Sequence, residues 1–237
     1  MSYRDLHVPL RRQRQRCIRD SILTALLVWY VLCLPDVLFE VPYSTVIESK
    51  DGRLLDAHIA KDGQWRFPAV DSVPYRYKQC VLQYEDAYFY NHPGFNPVAI
   101  GKALADNISA GKVVRGGSTI TQQVIRMSRK KDRKYYEKFI ELIWATRLEF
   151  RLSKEEILEL YASHAPYGGN VVGLDMAAWR YYGRKPIELS WAESATLAVL
   201  PNAPGLVYPG KRESLPQETR DQVAVSYTTL TPPTKKT

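Results

Sequence analysis

Glu85 is followed by Asp86 and then, at intervals of four and three residues, by Phe89 and His92, immediately ahead of Pro93-Gly94. This spacing predicts one helix face shared by Glu85, Phe89 and His92, and a carboxylate held beside aromatic groups is partly desolvated, a state suited to general base work. Alone the feature says little, because most helix carboxylates are solvated surface groups. Further along, Arg115-Gly116-Gly117-Ser118-Thr119-Ile120-Thr121-Gln122-Gln123 is a glycine loop running into a helix start. Free main-chain N–H groups and the helix dipole suit phosphate there. No Gly-Lys-Ser or Gly-Lys-Thr follows, so this is not a Walker loop, and its plainer reading is a capped helix with polar first turns. Arg126, Arg129, Lys130, Lys131, Arg133 and Lys134 come next. Such a run is ordinarily a solvated helix face; beside the glycine loop it could clamp a diphosphate. Glu137 could pair with Arg133 one turn earlier. Ser128 to Lys131 matches S-x-x-K by chance, since no K-T-G or S-x-N accompanies it. No aromatic interleaving or known module supports nucleic-acid binding.

The order of these motifs is more specific than any one of them. Glu85-Asp86-x-x-Phe89-x-x-His92-x-Gly94-Phe95, Gly117-Ser118-Thr119-x-Thr121-Gln122-Gln123, Arg133-Lys134-x-x-Glu137 and Lys154-x-x-Ile157-Leu158-Glu159-x-Tyr161 together strongly resemble the peptidoglycan glycosyltransferases of glycosyltransferase family 51. The resemblance covers about residues 43–211, and Ala198 to Pro204 looks like the family's closing segment. Tyr161 to Asn170 and Asp175 to Gly183 are most similar to the 1C branch of its class A penicillin-binding proteins, with Ala162-Ser163 where most members carry Leu-Asn.

The resemblance implies a mainly α, lysozyme-like fold with a short β-hairpin at its start and one N-terminal transmembrane helix. It implies polymerisation of lipid II: inverting transfer of a growing glycan from undecaprenyl diphosphate to the acceptor sugar hydroxyl. Glu85 would be the base. Glu137 would be the second carboxylate on the diphosphate side, acting through a divalent cation, Mg or Mn, if one is used. Asp86, Phe89, His92, Gly117, Ser118, Thr119, Gln122, Gln123, Arg126, Arg129, Arg133, Lys134 and Lys154 match substrate-binding positions. The implied partners are lipid II, undecaprenyl-diphosphate-linked glycan, membrane lipid and other cell-wall synthesis proteins, with no nucleic acid. The residues agree: a glycosidase uses two carboxylates because it must protonate a poor leaving group, whereas a diphosphate leaves unprotonated once cations neutralise it. A lysozyme-like lytic enzyme, which would degrade finished peptidoglycan, and an inactive truncated penicillin-binding protein fragment are the alternatives.

The elements that must position these residues follow from composition and period. With 237 residues, 45% hydrophobic and 24% charged, the chain is neither a disordered tail nor a multi-span membrane protein. Cys17, Cys33 and Cys80 lack C-x-x-C spacing, which argues against a zinc ribbon, a thioredoxin-type site or a disulfide scaffold, and Cys80 is expected to be an unpaired thiol. The net charge of +8 is concentrated: residues 1–20 hold six arginines against Asp5 and Asp20, and residues 111–154 hold twelve Lys or Arg against four acids. Residues 21–39 are apolar and uncharged up to Asp36, and no small-x-small cleavage site follows them. They predict an uncleaved signal anchor that keeps the basic arm, residues 1–20, in the cytoplasm and exports the rest, a single-pass topology in the bacterial inner membrane.

Beyond it, Asp51-Gly52 and Asp62-Gly63 within residues 43–67 predict hairpin material, in a linker spanning 40–74. A glycosyltransferase domain is expected over 75–212. Its helices are predicted from Pro74 to Pro93-Gly94, from Val98 to Ala110 with Gly111 past the end, and from an N-cap at Ser118. Another covers 133–151, with an apolar stripe at Tyr136, Phe139, Ile140, Ile143 and Leu148, and two more start at the capping boxes Ser153/Glu156 and Ser190/Glu193. Residues 213–237 are expected to be a poorly ordered tail, left by truncation of a longer bifunctional enzyme and lacking a penicillin-reactive serine.

Overall fold

In chain order the elements are α1 (Tyr3–Leu32), β1 (Thr45–Glu48), β2 (Leu54–His58), β3 (Trp65–Arg66), α2 (Tyr75–Glu85), α3 (Pro97–Ala110), α4 (Ile120–Arg129), α5 (Tyr135–Glu149), α6 (Lys154–His164), β4 (Val171–Val172), α7 (Leu174–Tyr182) and α8 (Trp191–Val199). Short 3-10 turns cover Phe89–Asn91, Pro186–Glu188 and Leu200–Asn202. This computed structural model describes residues 3–51, 54–68, 72–112, 116–131 and 135–202. Arg115, Arg133, Lys134, residues 203–212 and the expected tail 213–237 lie outside the described residues. The chain divides into two units after Leu38, and the second is mainly helical.

In the first unit, the uncharged stretch forms the helix predicted over 21–39 only as far as Leu32. Helix α1 stops at Leu32, ahead of Pro35, whose ring nitrogen has no proton for a helical hydrogen bond. Its uncharged part, residues 21–32, amounts to roughly 18 Å of helix, against about 30 Å of bilayer hydrocarbon. Among the described residues no helix is long and apolar enough to cross a membrane.

The second unit starts with the expected hairpin in part only. Strands β1 and β2 pair antiparallel from Thr45↔His58 to Glu48↔Leu54, with a bulge at Ile47/Glu48. Asp62-Gly63 does not close a further hairpin. Gly63, at φ +74, turns the chain into β3, which pairs in parallel with β4. The Trp65 N–H donates to the Asn170 carbonyl at 2.7 Å and the Asn170 side chain donates to the Gly63 carbonyl at 3.1 Å. Arg66, buried, donates to the Pro42 carbonyl at 2.6 Å and to Asp62 at 3.1 Å, which ties the entrance segment to itself, and the bonds to Asn170 and β4 fasten it to the helical body.

Helix α4 is central. Ile120 through Val124 and Ile125 are buried in an unbroken run, with α5 and α6 packed against the helix, while α2, which buries Tyr77, Cys80 and Val81, packs on α8. The capping boxes at Ser153/Glu156 and Ser190/Glu193 form as predicted and start α6 and α8. On α5 the predicted stripe is partly wrong: Tyr136 and Phe139 are exposed, and the buried face carries Glu137, Glu141, Ala145 and Leu148. Two of those four positions are acids, so hydropathy misplaced the face because buried ion pairs replace apolar contacts on it. Helix α3 runs between its predicted ends, with Asn96 as N-cap and Gly111 in the left-handed conformation past Ala110. It buries only Ala103 and leaves Val98, Ile100, Leu104 and Ile108 exposed.

Candidate active site

Glu85 is the last residue of α2, and the predicted face shared by Glu85, Phe89 and His92 does not exist because the helix stops there. The cause is Asp86. Its main chain extends (φ −160) and its carboxylate turns inward to accept from the His92 ring Nε2 at 2.9 and 3.0 Å and from the Ile120 N–H at 3.2 Å. Phe89 then lies in a 3-10 turn, buried edge-on against His92. Glu85, half-buried, accepts a 2.7 Å hydrogen bond from the Gln123 side chain on α4.

The N-cap of α4 is Thr119, not the predicted Ser118. Its hydroxyl donates to the Gly94 carbonyl at 2.7 Å and accepts the Gln122 N–H at 3.2 Å. Gly94 sits at φ +86, where a Cβ would lie 2.7 Å from the Ala145 carbonyl group, so only glycine lets this loop lie against α5. The helix start is therefore less open to phosphate than the glycine loop suggested: the Ile120 N–H is taken by Asp86 and the Gln122 N–H by Thr119. Gly117 lets the loop approach α3, since a Cβ there would be 3.0 Å from the Ile100 Cα. Ser118 instead accepts from the Lys138 ammonium at 2.6 Å.

A cavity of about 980 Å³ opens over these groups, lined by Glu85, Asp86, His92, Gly117, Ser118, Thr119, Gln123 and Arg126 among the expected residues. Tyr84, Asn96 and Lys102 line it too and were not predicted. Arg126 and Lys102 share this lining with Glu85 and Asp86, and among the described residues no carboxylate pairs with either cation. Lys102 is the one basic residue of α3, and only its position about a turn and a half after Asn96-Pro97 hinted that it could share a wall with the glycine loop.

Other expected residues are not brought to this cavity. Glu137 is buried on α5 and accepts from Arg129 at 2.5 Å, with Lys131 at 3.8 Å; Arg129 also lies 4.5 Å from the Trp144 ring centre. Lys154 donates to the His92 carbonyl at 2.8 Å, pairs with Glu149 at 2.7 Å and lies over the Phe89 ring. Gln122 is buried, its carbonyl oxygen 3.4 Å from Lys138. Beside the Ser118 loop stands a different pair, Lys138 and Glu141, 3.4 Å apart. The signal for it was present: Lys-x-x-Glu occurs at 134–137 and again at 138–141, and the second spacing reaches Ser118 and Gln122.

The Glu137 carboxylate is held by Arg129 and Lys131, and among the described residues no three His, Cys, Asp or Glu side chains gather that could hold a metal ion.

The profile of the Transglycosylase family matches residues 51–228. Penicillin-binding protein 1C of Escherichia coli (strain K12) is 38% identical over 190 residues, which is 80% of this chain and 25% of that protein. Penicillin-binding protein 1A/1B of Bacillus subtilis (strain 168) is 32% identical over 210 residues, 87% of this chain and 22% of that protein. The chain thus spans about a quarter of the length of these two relatives. A biosynthetic peptidoglycan transglycosylase of Herminiimonas arsenicoxydans is 38% identical over 156 residues, 60% of this chain and 68% of that protein.

Proposed function

The chain belongs to the transglycosylase family, and from that premise we propose that it polymerises peptidoglycan glycan strands, with a lysozyme-like second unit as the catalytic body. The observation that carries this reading is the cavity that holds one half-buried carboxylate, Glu85, together with Arg126 and Lys102, cations that no carboxylate pairs with among the described residues. Glu85 takes the proton of the acceptor sugar hydroxyl of lipid II. The freed oxygen attacks the anomeric carbon of the donor sugar, and the bond from that carbon to the undecaprenyl diphosphate breaks. The carbon inverts and the electron pair leaves on the diphosphate. Arg126, Lys102 and Lys138 oppose the charge that builds there, which removes the need for a general acid. Gln123 holds Glu85 in one orientation. Lys138 with Glu141 supports the Ser118 side of the donor site, and Glu137 keeps Arg129 in place.

The proposed setting is the outer face of the bacterial inner membrane, with residues 21–39 as the anchor and the basic arm, 1–20, inside. The exposed apolar residues of α3, and Tyr136 and Phe139 of α5, would then meet lipid around the substrate. Glu85→Gln is the test. It keeps size and polar contacts but cannot take a proton, so single-turnover polymerisation of lipid II should fall by about 10²- to 10⁴-fold while donor binding survives. A loss below about tenfold removes Glu85 from this role. Degradation of finished strands, with lipid II left unused, would establish the lytic reading instead.

A further inference from the structure

Asp86 and His92 were expected to touch substrate, yet their side chains are 4% and 6% exposed and engaged with each other. Asp86 links two helix ends. It follows Glu85 directly at the end of α2, and its carboxylate also holds the Ile120 N–H, the first amide of α4. Gln123 lies one turn further along the same face of α4, where it donates to Glu85. His92 supplies the second hold on the Asp86 carboxylate, and is itself fixed through its carbonyl by Lys154 and flanked by the buried Phe89 ring. An ionised carboxylate only accepts hydrogen bonds, so His92 donates from Nε2 to both Asp86 oxygens. Its Nδ1 is buried without a hydrogen-bond partner among the described residues, so Asp86 is the one acceptor orienting the ring.

We infer that the buried Asp86–His92 pair is a positioning device that sets the distance between the ends of α2 and α4, and so keeps Gln123 against Glu85, rather than a contact to substrate. The inference rests on the reading of Glu85 as base. Removing His92 frees the Asp86 carboxylate to turn, α4 loses its first anchor, and the Gln123 amide no longer stabilises the charged form of Glu85. The charge of Glu85 still bears on Tyr77 of α2 and Tyr161 of α6, whose hydroxyls are held un-ionised by burial and by that charge, with Arg126 of α4 acting on Tyr161 in the opposite sense. A hydrogen bond to an ionised carboxylate favours that form, so its loss moves the acid limb of the rate profile to higher pH.

The test uses the full chain, lipid II polymerisation rates from about pH 5.5 to 9, and circular dichroism as the check of folding. His92→Ala should lower kcat by about ten- to a hundredfold with KM changed less than about twofold, and shift the acid limb upward by the same amount as Gln123→Met. His92→Gln, whose amide can still donate to Asp86, should restore both. The double variant His92→Ala with Gln123→Met should be no worse than the poorer single one. A raised KM at unchanged kcat, an acid limb that does not move, or additive losses would overturn the inference. If His92→Ala does not fold, Asp86→Asn carries the same expectations and decides the matter. Glu85→Gln separates the two readings: retained activity there removes the base itself, whereas an inactive Glu85→Gln beside an unmoved limb in the His92 variants removes only the positioning role.

Discussion

Lys138 is the side chain whose placement the sequence hid. In the text it is one lysine among many, yet it bridges Ser118, Gln122 and Glu141. Lys138→Met should weaken binding of a diphosphate-lipid donor by about tenfold or more, since a charge-assisted contact contributes roughly 1.5–3 kcal/mol. Glu137→Gln should cost less in binding and more in thermal stability, because it releases the buried Arg129. Isothermal titration and a melting curve on each variant separate these outcomes. The order of the motifs singled out Glu85, Gln123 and Arg126, which line the cavity; it could not reveal that Lys138 points at the glycine loop, because that depends on the phase of α5 against α4. Two buried groups also give the fold opposing responses to acid. Burial, with the charge of Glu48 adding and Lys185 opposing, raises the Asp175 carboxyl from 3.8 to about 6. A raised folded value means that the stabilisation is complete below pH 3.8 and is lost as pH rises through about 6. Asp175→Asn should therefore stabilise the protein by about 1–3 kcal/mol at pH 7 and by little at pH 4. His164 runs the other way: burial, then the positive Arg66 and Lys130, lowers it from 6.5 to about 4, so stability is lost as pH falls through that window. Melting temperatures of wild type and Asp175→Asn between pH 4 and 7 check the sign.

At the scale of elements, capped helices were legible and contact-dependent ends were not. Ser153/Glu156 and Ser190/Glu193 carry their caps within four residues of sequence, so α6 and α8 begin where the text says. Helix α2 ends at Glu85 for a reason that lies at Ile120 and His92, and no local pattern contains it. The same holds for β3, whose mate is β4. The loop between α2 and α3 offers a direct check. Gly94→Ala places a Cβ against the Ala145 carbonyl and demands a positive φ, which together should cost at least about 1–3 kcal/mol. Because the Gly94 carbonyl accepts from the α4 cap, the variant should also slow polymerisation even where it stays folded. Urea unfolding alongside turnover at low temperature would expose the idea as wrong if stability fell and the rate did not.

For the second unit as a whole, the mainly helical class was evident from periodicity, whereas its exposed apolar surface was not, because a stripe on a helix reads the same whether protein or lipid covers it. Leu104 and Ile108 on α3 are 60% and 72% exposed. Replacing both with Asp should lower the initial rate on lipid II embedded in vesicles several-fold and leave the rate in detergent micelles unchanged; equal losses in both media would point to misfolding instead. The fastening of the entrance segment carries a consequence for biosynthesis. The Gly63 carbonyl and the Asn170 side chain that help close the β3–β4 pairing are 107 residues apart. A ribosome adding about 5–20 residues per second leaves that strand without its mate for roughly 5–20 s, while α2 to α6 emerge and form their own local turns. The seam between the first-made and last-made parts of the catalytic body therefore closes late, and a nascent chain stalled before Asn170 offers the Trp65 edge to chaperones and proteases for as long as the stall lasts.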